Sequence, residues 1–313
     1  MLKRKKGVLL INTGTPDSPS PHDVRRYLAR FLSDKRIIKV PRVLWWPILH
    51  GMILPFRPYK SGKLYQKVWT KKGSPLAYFA LRQNENLKKL LPDVEIETCM
   101  SYSHPLIDEG IDRLLGKGVE QLTIIPLYPQ YSGTTSGASF DNVVSYFYGN
   151  DKIIDLKFIH SFYQHPKYIA YYASKIKEKL SQNNYNAILF SYHGIPESYV
   201  KSGDTYPKQC QETTQLIMEK VGDFPYYQSY QSKFGPGKWL TPATSKMLMD
   251  FPNKGIKKIL VCSPGFVADC LETIYEIDIE NRAYFKSSGG ELFEYIHPFN
   301  EAKELAEILL DYI

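Results

Sequence analysis

The chain repeats itself. Leu9-Leu10-Ile11-Asn12-Thr13-Gly14-Thr15-Pro16-Asp17-Ser18 runs in step with Leu189-Phe190-Ser191-Tyr192-His193-Gly194-Ile195-Pro196-Glu197-Ser198, so that Gly, Pro, an acid and Ser recur at matching places. A second echo sets Gly118-Val119 and Ile124-Ile125-Pro126 against Gly255-Ile256 and Val261-Cys262-Ser263-Pro264. Chance can produce one such match, but two in the same order argue for a duplicated unit. The unit has a recognisable class. Strand-like runs at Val8–Ile11, Leu122–Ile125, Ala187–Phe190 and Ile259–Cys262 alternate with helical patterns at Asp23–Leu32, Leu81–Leu90, Lys167–Leu180 and Ala302–Leu310. Alternation of this kind builds parallel sheets with helices on both faces. Two similar α/β domains meeting at a cleft are therefore expected. Ligands in such sheets sit at the carboxyl ends of the strands, where both Gly-Pro loops fall.

The formal net charge of +8 suits nucleic acid, an anionic membrane surface or an acidic small molecule. The Lys and Arg are scattered, and no helix-turn-helix, zinc-finger or RNA-recognition signature accompanies them, so nucleic acid is not expected. Twenty-four Tyr suggest surfaces where a ring packs while its hydroxyl stays wet. Cys99, Cys210, Cys262 and Cys270 lie far apart, which argues against a disulfide framework or structural zinc and fits a reducing compartment. The basic start, Met1 to Lys6, is followed by only a short apolar run, Val8–Ile11, too short for a signal peptide. No stretch reaches the roughly 18 apolar residues of a spanning helix, and a cytoplasmic location is expected. One segment stands apart. Val43–Phe56 (VLWWPILHGMILPF) is apolar but for His50 and is broken by Pro47, Gly51 and Pro55. A buried core helix is the plain reading. The functional one is an exposed lip that grips a flat hydrophobic ligand or touches a membrane peripherally.

Two motifs carry chemistry. Phe190-Ser191-Tyr192-His193-Gly194-Ile195-Pro196-Glu197 leads a strand into a Gly-Pro turn and puts His193 at the strand's carboxyl end. Imidazole ligates borderline metals such as Fe(II) and accepts a proton near neutral pH. After the strand Ile259–Cys262 comes Pro264-Gly265-Phe266-Val267, then an acidic run from Asp269 to Glu280. On a helix turning about 100° per residue, Asp269, Glu272, Glu276 and Glu280 fall in a sector of roughly 80°. No Lys or Arg stands between Asp269 and Asn281 to pair with them. A solvated acidic face is one reading; on a chain this basic, a cation path is the other. A third group, Ser132-Gly133-Thr134-Thr135-Ser136-Gly137, has small hydroxyl residues that can cradle a phosphate, but its spacing matches no nucleotide fingerprint.

Taken together, these segments resemble the ferrochelatases. His193-Gly194-Ile195-Pro196, Tyr128-Pro129-Gln130-Tyr131-Ser132, Gln231-Ser232-Lys233 with Gly235 and Trp239-Leu240, and Pro264-Gly265-Phe266 through Asp269-Cys270-Leu271-Glu272-Thr273 are similar to that family's motifs, in its order. Leu10-Ile11-Asn12-Thr13-Gly14-Thr15-Pro16 fits as well, and the likeness covers nearly the whole chain. It implies two similar Rossmann-like domains of chelatase type, each a parallel sheet flanked by helices, with the porphyrin in the cleft between them. The expected division is 1–160, joined by the C-terminal helix 298–313, and 161–297, carrying His193 and the acidic helix. The resemblance implies that ferrous iron is inserted into protoporphyrin IX with release of two protons, forming haem b in the last step of haem synthesis. His193 and Glu272 are then catalytic and metal-binding, Thr13, Tyr131, Trp239 and Phe266 line the porphyrin pocket, and Asp269, Glu276 and Glu280 form a second shell or metal path. Iron is a substrate and no permanent cofactor is implied; a monomer is expected.

Two departures from animal members matter. They have His where this chain has Cys270, and an Arg that meets a propionate where it has Ser101, leaving Lys35 or Arg36 as substitutes. They also carry a C-terminal cysteine extension that binds an iron–sulfur cluster, which is not expected here. Metallation requires a bent ring, the loss of two pyrrole protons and a dehydrated ion, and a rigid apolar cleft can supply the bending. His193 is the ligand or proton acceptor, Glu272 its acidic counterpart and Asp269 a supporting group. The rivals are a chelatase for coproporphyrin or another tetrapyrrole, a non-catalytic porphyrin or haem carrier, and a phosphate-binding Rossmann enzyme using the Ser132–Gly137 loop.

Overall fold

Strands that must be covered on both faces need apolar side chains at every position, not at alternate ones. Val8 through Ile11 and Ala187 through Phe190 meet that demand, and in the computed structural model all eight are fully buried. The structure describes residues 4–148, 150–235 and 237–313. The chain forms two compact units. The first comprises Met1–Tyr128, Ser132–Ser161 and Glu301–Ile313; the second comprises Pro129–Tyr131 and Phe162–Asn300.

The first unit holds a parallel sheet of β1 (Lys6–Asn12), β2 (Glu95–Met100), β3 (Gln121–Pro126) and β4 (Asp155–Phe158), in the order β2-β1-β3-β4. The second holds β5 (Ala187–His193), β6 (Tyr226–Gln231), β7 (Lys258–Cys262) and β8 (Leu292–Ile296), in the order β6-β5-β7-β8. The two orders are the same. The duplicated architecture expected from the sequence echoes is therefore present, with β1 and β5 in equivalent places and β3 and β7 likewise. All four strands legible in the sequence are the central pairs of these sheets. Their flanking neighbours, such as Asp155–Phe158 with its alternating exposure, carry a weaker apolar signal.

Helices cover the sheets. In the first unit Leu9 and Ile11 pack with Ile111 and Leu114 of the helix Ile107–Gly116 and with Val143 and Phe147 of the helix Ser136–Phe147. In the second, Leu189, Ile259 and Val261 pack with Leu248, Phe251, Ile277 and Phe285. The helix Pro21–Ser33 starts where the sequence provides for it: the Ser20 side chain accepts from the Asp23 N–H and Pro21 occupies the first turn.

The apolar segment Val43–Phe56 is not a buried core helix. It spans the helix Arg42–Ile48, a wider π-helical turn at Leu49–Ile53, and the start of the helix Leu54–Val68. Trp45, Leu49 and Leu54 face inward, and the Trp45 indole donates to the Leu32 carbonyl at 2.7 Å. Val43, Leu44, Trp46, Met52 and Phe56 are exposed, Val43 to 85%. Among the described residues no helix is long and apolar enough to cross a membrane.

Close packing in the first unit depends on Gly110. A Cβ there would overlap Cys99 Sγ and lie 3.2 Å from Leu9 Cδ1. Gly110→Ala should lower stability by up to about 2 kcal/mol, the roughly 1–3 kcal/mol of overpacking being offset by the roughly 1 kcal/mol that Ala gains as a helix former. Chemical denaturation would measure this, and a more stable variant would show that the contact yields easily.

Candidate active site

The strand order of the second unit reverses between β5 and β7, and in open α/β sheets such a switch point leaves room for a ligand beyond the carboxyl ends. Phe190 pairs with Cys262, the last residue of β7, so Ser191, Tyr192 and His193 project past that neighbour and pair only with β6. His193 ends the strand, half-buried. Its Nδ1 lies 2.8 Å from the Gly194 carbonyl oxygen. A carbonyl only accepts, so Nδ1 carries the proton and Nε2 is left with the lone pair. Gly194 is needed because its N–H donates to the Gln231 carbonyl at 2.8 Å, and a Cβ would press on that same oxygen at 2.9 Å.

The loop after β7 is held from beneath by tyrosines. Buried Tyr168 donates to the Pro264 carbonyl, and Tyr172 donates to the Phe266 carbonyl at 3.1 Å. Part of the chain's tyrosine richness thus anchors loop backbone. Phe266 itself is half-buried.

The acidic run departs from the expected geometry. Leu271–Asn281 is a π-helix, whose i→i+5 bonding widens each turn beyond four residues. Residues four apart stay near one another and residues three apart separate, so Glu272, Glu276 and Glu280 form a drifting row from which Asp269 is excluded. Asp269 precedes the helix and is 4% exposed, with its Oδ1 accepting from Thr273 Oγ1 at 2.7 Å. It is a buried structural carboxylate and not part of a solvent-lined path. Glu280 faces Tyr284 and its charge pushes that phenol's pKa up.

Glu272 and Glu276 belong with His193. Gln231, at the end of β6, donates through Nε2 to the Glu272 carbonyl at 3.0 Å. Ser232 follows in a left-handed conformation, φ 65°, and points both of its donors at Glu276: its N–H at 2.7 Å from Oε1, and its hydroxyl to Oε2. Burial pushes the Glu276 carboxyl pKa up, against the Ser232 donors and the attraction that His193 exerts when its ring is protonated, while Glu272 adds to the rise. Three ionisable groups from two elements therefore share one field. The Cys270 thiol is pushed well up by burial, with the adjacent Glu272 charge adding to the shift. Among the described residues no three His, Cys, Asp or Glu side chains are arranged as a ready metal cage. Gln231 and Ser232 stood in one of the family-like motifs but were given no site role; their place at and just after the end of a strand was the available signal.

The other candidates lie as follows. Thr13 follows β1 and matches, in the sequence echo, the His193 that ends β5; its Oγ1 lies 2.6 Å from the Tyr128 hydroxyl. The Tyr131 N–H donates to Gln209 Oε1 at 2.7 Å. Trp239 bridges to Pro196 and its Cε3 approaches Gly194, while its buried indole N–H has no partner. Arg36 makes a two-point pair with Asp141, 2.6 and 2.8 Å, and Lys35 is exposed. The Ser101 hydroxyl is 3.5 Å from that of Ser139. In the Ser132–Gly137 loop, Ser132 Oγ meets Thr134 Oγ1 at 2.9 Å and accepts from the Thr134 N–H at 3.2 Å, so these hydroxyls serve the loop itself.

The ferrochelatase family profile matches residues 5–313. The chain is 55% identical over 310 residues to a coproporphyrin III ferrochelatase of Enterococcus faecalis, covering 99% of each. It is 45% identical over 315 residues to a coproporphyrin III ferrochelatase of Lactococcus lactis subsp. cremoris, covering all of this chain and 97% of that one. A ferrochelatase of Pectobacterium atrosepticum is 42% identical over 304 residues, covering 96% and 95%. Among solved structures, SirB from Bacillus subtilis with Fe3+ aligns with a TM-score of 0.59 at 10% identity over 98% of this chain and 94% of that one, a likeness of fold.

Ser232→Ala should raise the Glu276 pKa further, because its hydroxyl opposes the shift, and should cost about 1 kcal/mol of stability. Carbon-13 NMR titration of the glutamate carboxyls reads the first effect directly. An unmoved titration would remove Ser232 from the control of Glu276.

Proposed function

The chain belongs to the ferrochelatase family, and on that premise we propose that it inserts ferrous iron into coproporphyrin III and releases two protons. It is a metal-insertion enzyme, a lyase of haem and porphyrin synthesis. The sequence reading put protoporphyrin IX first and coproporphyrin second. The names of the relatives at 55% and 45% identity support the reverse order. The observation that carries the mechanism is the state of His193. With Nδ1–H tied to the Gly194 carbonyl, Nε2 is fixed as the basic nitrogen at the strand end.

The chemistry follows from that arrangement. Two pyrrole N–H bonds break, two protons leave, and the ring nitrogens take the ion. His193 Nε2 accepts a proton, and Glu272 takes up the ion or the second proton. Glu276 and Glu280 continue the carboxylate row along which a hydrated cation is drawn inward. Thr13, Tyr131, Trp239 and Phe266 keep the ring-contact role that the resemblance gives them. Trp239 has a particular claim, since its unpartnered indole N–H can donate to a bound polar group.

The test is metal insertion into coproporphyrin III and protoporphyrin IX side by side. Faster turnover of coproporphyrin is expected; equal or faster protoporphyrin turnover would overturn the preference. A protein that binds both rings and metallates neither would be a carrier. His193→Ala should abolish insertion while porphyrin binding is retained, and wild-type turnover in that variant would remove His193 from the mechanism.

A peripheral membrane role for the lip is supported by five exposed apolar side chains beside Arg42, Lys60 and Lys63 on the same helices. Weak, salt-sensitive binding to anionic vesicles is expected, since one such patch anchors only marginally. Replacing Trp46, Met52 and Phe56 by Ser should abolish it without unfolding the chain. Unchanged vesicle sedimentation would end the proposal.

A further inference from the structure

Asp269 presents a problem that the catalytic scheme does not answer. A buried carboxylate is costly unless its oxygens are hydrogen-bonded, and none of its hydrogen-bond donors is a Lys or Arg. Its partners come from beyond β8. Asn300 Nδ2 donates to Oδ2 at 2.7 Å, and His297 Nδ1 lies 2.8 Å from the same oxygen. Asn300 grips the backbone too: its Oδ1 accepts from the Asp269 N–H at 2.8 Å, and its own N–H donates to the Val267 carbonyl at 3.0 Å. Asn300 has a φ of 52°, in the left-handed region that Asn tolerates better than most residues. The opposite oxygen, Oδ1, accepts from Thr273 Oγ1, and that hydroxyl also accepts from the Cys270 N–H at 2.9 Å.

These bonds enclose Glu272. Asp269 and Cys270 are tied on one side of it and Thr273 on the other, so the first turn of the π-helix has little freedom to rotate. We propose that Asn300 and His297 are positioning residues for metal insertion, holding Asp269 and through it the helix start that aims the Glu272 carboxylate. This rests on the proposed function, in which Glu272 meets the ion or a pyrrole proton. The physical case is that a reacting group held within a fraction of an ångström by its outer partners loses rate when they are removed, even though the partners never touch the substrate. The location supports a local role. His297 is half-exposed, so trimming its side chain empties no core cavity.

The experiment compares His297→Ala, Asn300→Gly and His297→Asn with wild type. Glycine keeps the left-handed backbone at 300 while removing the side chain, and asparagine at 297 keeps an N–H donor near the place of Nδ1. His297→Ala and Asn300→Gly should each lower kcat for iron insertion roughly ten-fold, the lower end for lost outer-shell partners. Porphyrin KM and Kd should stay at wild-type values. Amide exchange over residues 270–276 should quicken in both, and His297→Asn should recover much of the lost kcat. Wild-type kcat in both variants would overturn the positioning role alone. So would losses of kcat, porphyrin affinity and cooperative melting together, unrescued by asparagine, since those mark a general structural defect. A wild-type protein that inserts no iron would sink the proposed function, and the positioning role with it.

Discussion

The parallel pairing of β5 with β7 is the constraint from which the site follows. Because β7 stops opposite Phe190, the last three residues of β5 lack a partner on that side, and the next loop must fill the space. That loop delivers the helix bearing Glu272. On the other side β6 runs level with β5 to its end, which puts Gln231 beside His193 and Ser232 within reach of Glu276. No long-range search brings these groups together. They are neighbours because strands of unequal length lie side by side, and the buried Val, Ile, Leu and Phe of the central strands fix that register.

Neutral donors do most of the electrostatic work around the carboxylates. Glu276 is met by a serine, and Asp269 by a threonine, an asparagine and a histidine, with no Lys or Arg in the segment that carries them. A cationic partner would pull a carboxylate far toward its charged form and cancel its attraction for a divalent ion. Amides and hydroxyls orient the oxygens without adding charge, whereas the imidazoles, His193 near Glu276 and His297 against Asp269, supply positive charge when protonated. The upward pressure on Glu276 is the cost of that choice, and His193 relieves part of it.

Legibility in the sequence followed burial. The central strands were visible because both of their faces are covered and their cores are almost wholly apolar, Thr123 being the exception, whereas Tyr226–Gln231 and Asp155–Phe158 are too polar to announce themselves. The positions of His193 at a strand end and of Glu272 beyond the next were legible from their motifs. Asp269 was read onto the face of the glutamates because a helix of period 3.6 was run back over it, whereas the π-helix begins only at Leu271. Gln231 and Ser232 act through a backbone carbonyl and a left-handed turn, and His297 and Asn300 reach the site from beyond the last strand of their sheet. Contacts of that kind leave no periodic trace.

The π-helix has a consequence for insertion and deletion. Each of its turns holds more residues than an α-turn, so a single deletion between Glu272 and Glu276 would let the segment relax toward ordinary helical pitch. The amino acids downstream would be unchanged and the carboxylates would still be present. Their bearing around the axis would not be, and Glu276 would swing off Ser232. In this stretch the spacing of residues decides which carboxylate meets Ser232, and a chain one residue shorter would be a different instrument with the same parts.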